Sequence, residues 1–165
     1  MGLGRTTRFA PLPPGARRVS VMRLGAGGLP VLAPSPRLLD AFMRRKRALV
    51  EAGMEGETAH GEAFRQTGYR ERFRAEIRSR PAALGALRRL IDESKAGDLY
   101  LMCMCPYRAR EEACHTYLLL ELARELDPTV RLLPEPAPAP RKGRRPTGRP
   151  ARGRTPPARS RDRSS

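Results

Sequence analysis

The chain has 165 residues, of which 39% are hydrophobic and only 5% aromatic, and its formal net charge is +16. This length fits one domain with a modest core plus a tail. No run approaches the roughly 18 consecutive apolar residues of a membrane span, and the first residues lack the apolar stretch of about 7–15 residues typical of a secretory signal. We therefore expect a cytoplasmic protein without membrane association, whose three cysteines are reduced thiols.

The N-terminal third predicts an arm, a strand and a helix. Residues 1–16 are rich in Pro, Gly and Arg, which predicts a flexible N-terminal arm. The segment 17–24, RRVSVMRL, alternates polar and apolar residues and predicts a strand. The next segment, GAGG at residues 25–28, lacks the glycine spacing of a phosphate-binding loop and predicts a plain turn. Ser35 then precedes a proline and a helical apolar pattern, which predicts an N-capped helix.

The middle of the chain predicts a polar loop followed by two helices. The loop is EGETAHGEA, residues 55–63, in which we expect His60 to be exposed to solvent. Residues 62–80 have apolar side chains at helical spacing and predict one helix, weakened locally by Gly68. A second helix begins at Pro81, carries a stripe of leucines and ends before Gly97.

The sequence then predicts a parallel sheet. DLYLMCMC is almost wholly apolar, as is typical of a strand buried on both faces. A helix over 112–126 and a strand over 129–133 follow, and a strand, helix and strand in this order predict a βαβ crossover. The predicted fold is a single small α/β domain over 17–133, with a mainly parallel sheet and flanking helices.

Residues 134–165 differ in composition from the rest of the chain. They contain ten Arg or Lys, two acidic residues and almost no apolar side chain larger than Ala, so we expect a disordered basic tail. Flexible cations attract nucleic acid phosphates without base specificity. Nucleic acid is therefore a candidate partner, the alternative being a solubilising appendage. The tail cations we assign to such binding are Arg141, Lys142, Arg144, Arg145, Arg149, Arg152 and Arg154.

Several segments together resemble a known family. AFRQTGYRERFRAEI, the Pro-initiated helix, GDLYLMC, a short loop, and then CH opening an apolar helix are similar to the domain of unknown function 488 (DUF488) family. VMRLGAGGLP also resembles a segment of its YeaO-like branch. The resemblance implies a small α/β domain with no assigned reaction. The sequence departs from the family pattern at Thr116, where an Arg usually follows the histidine.

A cluster of cysteines and one histidine is the candidate site. Cys103 and Cys105 end the predicted strand, and Cys114 and His115 open the next helix. We expect convergence at the carboxyl edge of the sheet, where ligands bind in open parallel sheets.

Three interpretations of this cluster stay open. The four residues could form a zinc site, although adjacent residues on a helix diverge by about 100° and make a poor pair of ligands. Alternatively, Cys114 could be a thiolate activated by the helix N-terminus, with His115 as its acid or base. Third, cysteines are often ordinary core residues, which we expect for Cys103.

Two functions follow from these observations. One is an enzyme with a Cys/His site at a βα loop that acts on a small anionic substrate. The other is a non-enzymatic module that its basic tail brings to nucleic acid. The sequence names neither a substrate nor an oligomeric state, and zinc is its only candidate cofactor.

Overall fold

The protein folds around a small parallel sheet flanked by helices. The structure is a computed structural model, and it describes residues 1–24, 28–105 and 114–137. Three strands form the sheet in the order β1-β3-β2, and both outer strands run parallel to β3. Their bounds are β1 Leu3–Thr7, β2 Arg17–Ser20 and β3 Leu99–Cys103. The central, buried position of β3 confirms the strand predicted in DLYLMCMC.

Five helices accompany the sheet in the described part of the chain, which confirms the predicted α/β class. They are α1 Pro36–Glu51, α2 Gly56–Gln66, α3 Tyr69–Ser79, α4 Pro81–Ser94 and α5 His115–Leu126, with a short 3-10 helix over Pro30–Leu32. Their apolar faces meet the sheet in one core, whose fully buried side chains include Phe73, Leu87, Leu101 and Leu118. None of the described helices is long and apolar enough to cross a membrane.

The N-terminal arm predicted over residues 1–16 is wrong for residues 3–7, which form β1. Leu3 pairs with Leu99 in parallel register and is fully buried. Gly4 allows a close approach here, since a Cβ at this position would lie 2.7 Å from the ring of Tyr100. The missing side chain therefore permits the pairing with β3.

The strand predicted over 129–133 is also wrong in extent. Asp127 accepts hydrogen bonds from the backbone N–H of Thr129 at 2.9 Å and from its hydroxyl at 2.6 Å, which fixes a turn there. Only Leu132 then forms a bridge, parallel to Leu3. This bridge lies on the far side of β1 from β3, so the crossover through α5 passes over β1.

The polar loop predicted over 55–63 is wrong, because α2 begins there. The Glu55 carboxylate accepts hydrogen bonds from the backbone N–H groups of Glu57 and Thr58, both at 3.0 Å, and so caps the helix. Gly68, with a φ of +57°, separates α2 from α3, so the single helix predicted over 62–80 is two. The helix carries His60 into the core, where it is only 7% exposed, which contradicts its predicted exposure.

Other boundaries agree with the sequence prediction. The Ser35 side chain accepts a hydrogen bond from the Leu38 N–H at 3.1 Å and caps α1, and α4 begins at Pro81. The predicted turn at 25–28 lies outside the described residues except for Gly28. The disordered tail predicted over 134–165 is wrong at its start, because Glu135 accepts hydrogen bonds from Arg5 and from the Tyr117 hydroxyl. Residues 138–165 lie outside the described residues.

Candidate active site

Three of the four predicted cysteine and histidine residues converge beyond the carboxyl end of β3. Cys103 ends that strand, Cys114 is the N-cap of α5, and His115 is the first residue of that helix. One ligand atom from each of the three lies within 4.8 Å of the others, and all three residues are buried. The end of β3 and the start of α5 thus bring together residues eleven and twelve positions apart.

His115 is held in one tautomer by the backbone. Its Nε2 lies 3.1 Å from the carbonyl oxygen of Val21, just after β2. A carbonyl oxygen only accepts, so Nε2 carries a hydrogen and donates it. Nδ1 then faces the sulfur atoms, 3.7 Å from Cys103 Sγ. The free nitrogen is therefore placed to receive a proton or to bind a metal.

Cys114 is the thiol that the surroundings favour as a thiolate. Hydrogen bonds from Cys103 and Cys105 hold its pKa well below the ordinary value for cysteine, and the nearby His115 lowers it further, although burial opposes this. The N-terminus of α5 adds unpaired N–H groups and the positive end of the helix dipole.

Cys103 has the opposite tendency. Its hydrogen bond to Cys114, together with burial and the charge of Cys114, raises its pKa. The surroundings of Cys103 therefore favour its protonated form. The prediction that Cys103 is a core residue agrees with its burial, but its contacts also make it part of the site.

The backbone of Cys114 removes one objection to the cluster. Its φ of −141° and ψ of 136° are extended, so this residue does not follow helical spacing. The argument that Cys114 and His115 diverge by about 100° therefore does not apply, and both side chains point to the same place.

Thr116 is a member of the site that sequence reasoning missed. Its hydroxyl oxygen lies 3.0 Å from Cys114 Sγ, and the residue is fully buried. In the sequence this position was notable only because Thr116 stands where the DUF488 pattern usually has an arginine. Its position two residues after the N-cap was the available signal, because helical side chains tilt toward the helix N-terminus.

Cys105 faces a different histidine. Its Sγ lies 3.6 Å from Nε2 of His60, which α2 brings in against the ring of Phe42 at a centroid distance of 4.9 Å. Nothing in the sequence near His60 indicated this contact, since 45 residues separate the pair. Cys105 stays close to the cluster because its backbone N–H donates to Cys103 Sγ at 3.4 Å.

A buried arginine lies behind the cluster. Arg5 on β1 is 1% exposed, and it donates to the carbonyl oxygen of Cys105 at 3.5 Å, to the hydroxyl of Tyr117 at 3.4 Å and to Glu135. Burial tends to lower its pKa, but Cys114, Glu135 and Tyr117 outweigh burial and raise it. Arg5 thus provides a permanent positive charge near a site whose helix lacks arginine at position 116.

The cluster forms the floor of a cavity of about 550 Å³. Its walls are mainly apolar and aromatic, and three cations also line it. The floor consists of Cys103, Cys105, Cys114 and His115. The other lining residues are Arg8, Met22, Arg23, Leu24, Leu39, Phe42, Met43, Lys46, His60, Phe64, Tyr69 and Met104. A pocket of this volume admits a small organic molecule.

Cys103, Cys114 and His115 could also hold a metal ion. Tetrahedral zinc, with bonds of about 2.0–2.3 Å, places its ligand atoms about 3.5–3.8 Å apart. The separation of 3.7 Å between Cys103 Sγ and His115 Nδ1 fits this spacing. Cys105 is not part of this three-residue group, so the predicted four-ligand set is not assembled as such.

The remaining predicted binding residues lie outside the described residues. They are the tail cations Arg141, Lys142, Arg144, Arg145, Arg149, Arg152 and Arg154.

Comparison with known proteins places the site within a family. Residues 26–126 match the family model DUF488-N3a, described as the active DUF488-N3 subclade. The match spans more than half of the chain and includes Cys103, Cys105, Cys114 and His115. No curated protein and no solved structure matches the chain. The match confirms the resemblance found in the sequence: the chain belongs to the DUF488 family, within its DUF488-N3 branch.

Proposed function

We propose that the protein is a thiol-dependent enzyme in which Cys114 is the nucleophile and the substrate is a small organic anion. The observation that carries this proposal is the position of Cys114 Sγ, at the N-terminus of α5 and on the floor of a cavity, 3.0 Å from the Thr116 hydroxyl. A thiolate is the reactive form of cysteine, and this environment favours it. The description of the subclade as active is consistent with catalysis.

The arrangement supports a two-step displacement. Cys114 gives its proton to Nδ1 of His115, because Nε2 of that ring already donates to Val21. The thiolate attacks an electrophilic atom of the substrate, an S–substrate bond forms, and the leaving group departs with the electron pair of the broken bond and the proton from His115. Water then cleaves the S–substrate bond, and the released proton returns to His115.

Alkylation with iodoacetamide tests the proposal. Peptide mass spectrometry at neutral pH should find Cys114 modified well before Cys103, since the pKa of Cys114 is lowered and that of Cys103 is raised. The rate at Cys114 should reach its plateau at a lower pH than that of a free cysteine. Cys103→Ser is the matched control, because its hydroxyl can still donate to Cys114. Equal inertness of both thiols in the folded protein would contradict the proposal.

A metal centre is the second candidate, and the grouping of Cys103, Cys114 and His115 within 4.8 Å favours it. Three protein ligands with a fourth position open to a cavity are the pattern of catalytic zinc. Elemental analysis of the purified protein should then find about one zinc per chain. His115→Ala should lose that zinc, whereas Arg88→Gln, a change on the exposed face of α4, should retain it. A metal-free protein with a reactive Cys114 would favour the nucleophile.

For the tail we propose nucleic acid binding, supported by ten cations against two acids over residues 134–165. Each neutralised phosphate contributes about −0.9 to the slope of log K against log salt, so engagement of half of the cations gives a slope of about −4 to −5. Titration of labelled duplex DNA with the full chain and with a chain ending at residue 137 measures both slopes. Equal slopes would exclude the tail as the binding element.

A further inference from the structure

We propose that the cavity above Cys114 selects an amphipathic organic anion, whose apolar body fills the cavity and whose charged group stays at the mouth. The inference rests on the proposed function for the chemistry at Cys114, but the binding itself is independent of it. It names a narrower substrate class than a small anion, because the walls of the cavity are apolar and aromatic whereas its mouth carries cations.

The walls favour an apolar, flat body. Phe42, Phe64 and Tyr69 pack together, with ring centroids 5.4 Å apart between Phe42 and Tyr69 and 4.4 Å apart between Phe64 and Tyr69. Tyr69 is buried, and burial raises its pKa, so its ring stays neutral. Packed rings form a rigid surface on which an apolar or aromatic group replaces water at little cost in entropy.

The charged lining residues lie at the outside. Arg8 and Arg23 are exposed and Lys46 is half-buried, whereas Cys103 and Cys114 on the floor are buried. Among the described residues that line the cavity, none is an Asp or Glu. A negative group held between these cations keeps its hydration and has charged partners. The same group among the aromatic walls would lose its hydration and gain no polar partner in exchange.

Apolar residues at the same mouth argue against a purely inorganic anion. Leu24, Met43 and Met104 line the cavity, yet they are 84%, 45% and 52% exposed. Such a combination of exposed apolar groups and cations is typical of a binding surface rather than of an ordinary solvated face. An inorganic anion would neutralise the cations but leave these apolar side chains in water. An amphipathic anion would pair with the cations and also cover the apolar side chains.

Fluorescence titration tests the proposal with three probes. The amphipathic anion is 8-anilinonaphthalene-1-sulfonate, its neutral counterpart is N-phenyl-1-naphthylamine, and the small anion is inorganic phosphate used as a competitor. We expect one sulfonate probe per chain, tighter binding than for the neutral probe, and displacement by phosphate only at far higher concentration. Arg23→Gln should weaken sulfonate binding about threefold and a double change with Arg8→Gln about tenfold, as for exposed ion pairs. Neither change should affect the neutral probe, and Arg88→Gln on α4 should affect none.

Protection of the thiol places the probe in this cavity. Saturating sulfonate probe should slow alkylation of Cys114. Equal affinity for both probes, displacement by phosphate at concentrations similar to that of the probe, or no protection of Cys114 would overturn the inference. Those results would leave a reactive Cys114 and the proposed function intact. An inert Cys114 in a protein that binds the sulfonate as described would instead refute the proposed function and leave the cavity's selectivity standing.

Discussion

Replacement of Thr116 by Val tests the electrostatics of the site directly. The two side chains have similar shapes, so the change removes the hydroxyl that lies 3.0 Å from Cys114 Sγ and leaves the packing largely intact. A hydrogen bond to a charged group contributes about 1.5–3 kcal/mol. Loss of this donor therefore raises the pKa of Cys114 and lowers the fraction of Cys114 that is thiolate at low pH.

The same change makes each remaining thiolate more nucleophilic, because nucleophilicity rises with thiol pKa with a Brønsted coefficient of about 0.4–0.5. The two effects oppose each other and depend differently on pH. Combining this coefficient with a bond of 1.5–3 kcal/mol, we expect alkylation at low pH to slow by about 4- to 15-fold and the plateau rate at high pH to rise by about 3- to 10-fold. The rate profiles of the two proteins should therefore cross.

The assay is the rate of iodoacetamide reaction at Cys114 between pH 4 and 10, followed by mass spectrometry. The matched control is Thr6→Val, which removes another fully buried hydroxyl, bonded at 3.3 Å to the carbonyl of Thr7 rather than to sulfur. A general loss of structure would change the rate in one direction at every pH. Superimposable profiles for wild type and Thr116→Val would show that the hydroxyl is not a donor to the thiolate, and the reasoning would fail.

Three further changes test the fold around the site. Leu101→Ala on β3 should lower the free energy of unfolding by about 2–5 kcal/mol in urea titrations, because Leu101 is fully buried and truncation leaves a cavity; a loss below about 1 kcal/mol would mean that the core relaxes there. Arg5→Met should cost about 3–5 kcal/mol by breaking the buried ion pair between Arg5 and Glu135, and the double change with Glu135→Leu should recover part of it; no recovery would contradict this coupling. Because the pKa of Cys114 is lower in the folded than in the unfolded chain, its thiolate stabilises the fold fully above about pH 8.5. The stability difference between wild type and Cys114→Ala, measured with reductant present, should shrink by up to about 1.4 kcal/mol per pH unit as the pH falls below that value; a difference that grows in acid would mean that Cys114 is a neutral thiol.

The sequence predicted those elements that local chemistry determines. α1 begins at Ser35 because its hydroxyl can cap the helix, and α4 begins at Pro81 because proline suits the first turn. β3 was recognisable because a strand buried on both faces must be apolar throughout. The placement of Cys103 and Cys114 at one edge followed from chain order, since the carboxyl end of a strand and the start of the next helix are neighbours.

Only the tertiary structure determined the partners of these residues. β1 has no strand pattern of its own, and it forms because β3 offers free backbone groups and Gly4 leaves room for Tyr100. Arg5 consequently becomes a buried cation instead of part of a flexible arm. His60 approaches Cys105 because α2 packs on α1, a contact between distant segments that no local spacing encodes. Local preferences thus determined where the thiols lie along the chain, whereas long-range packing determined the charges and donors around them and hence which thiol has the lowered pKa.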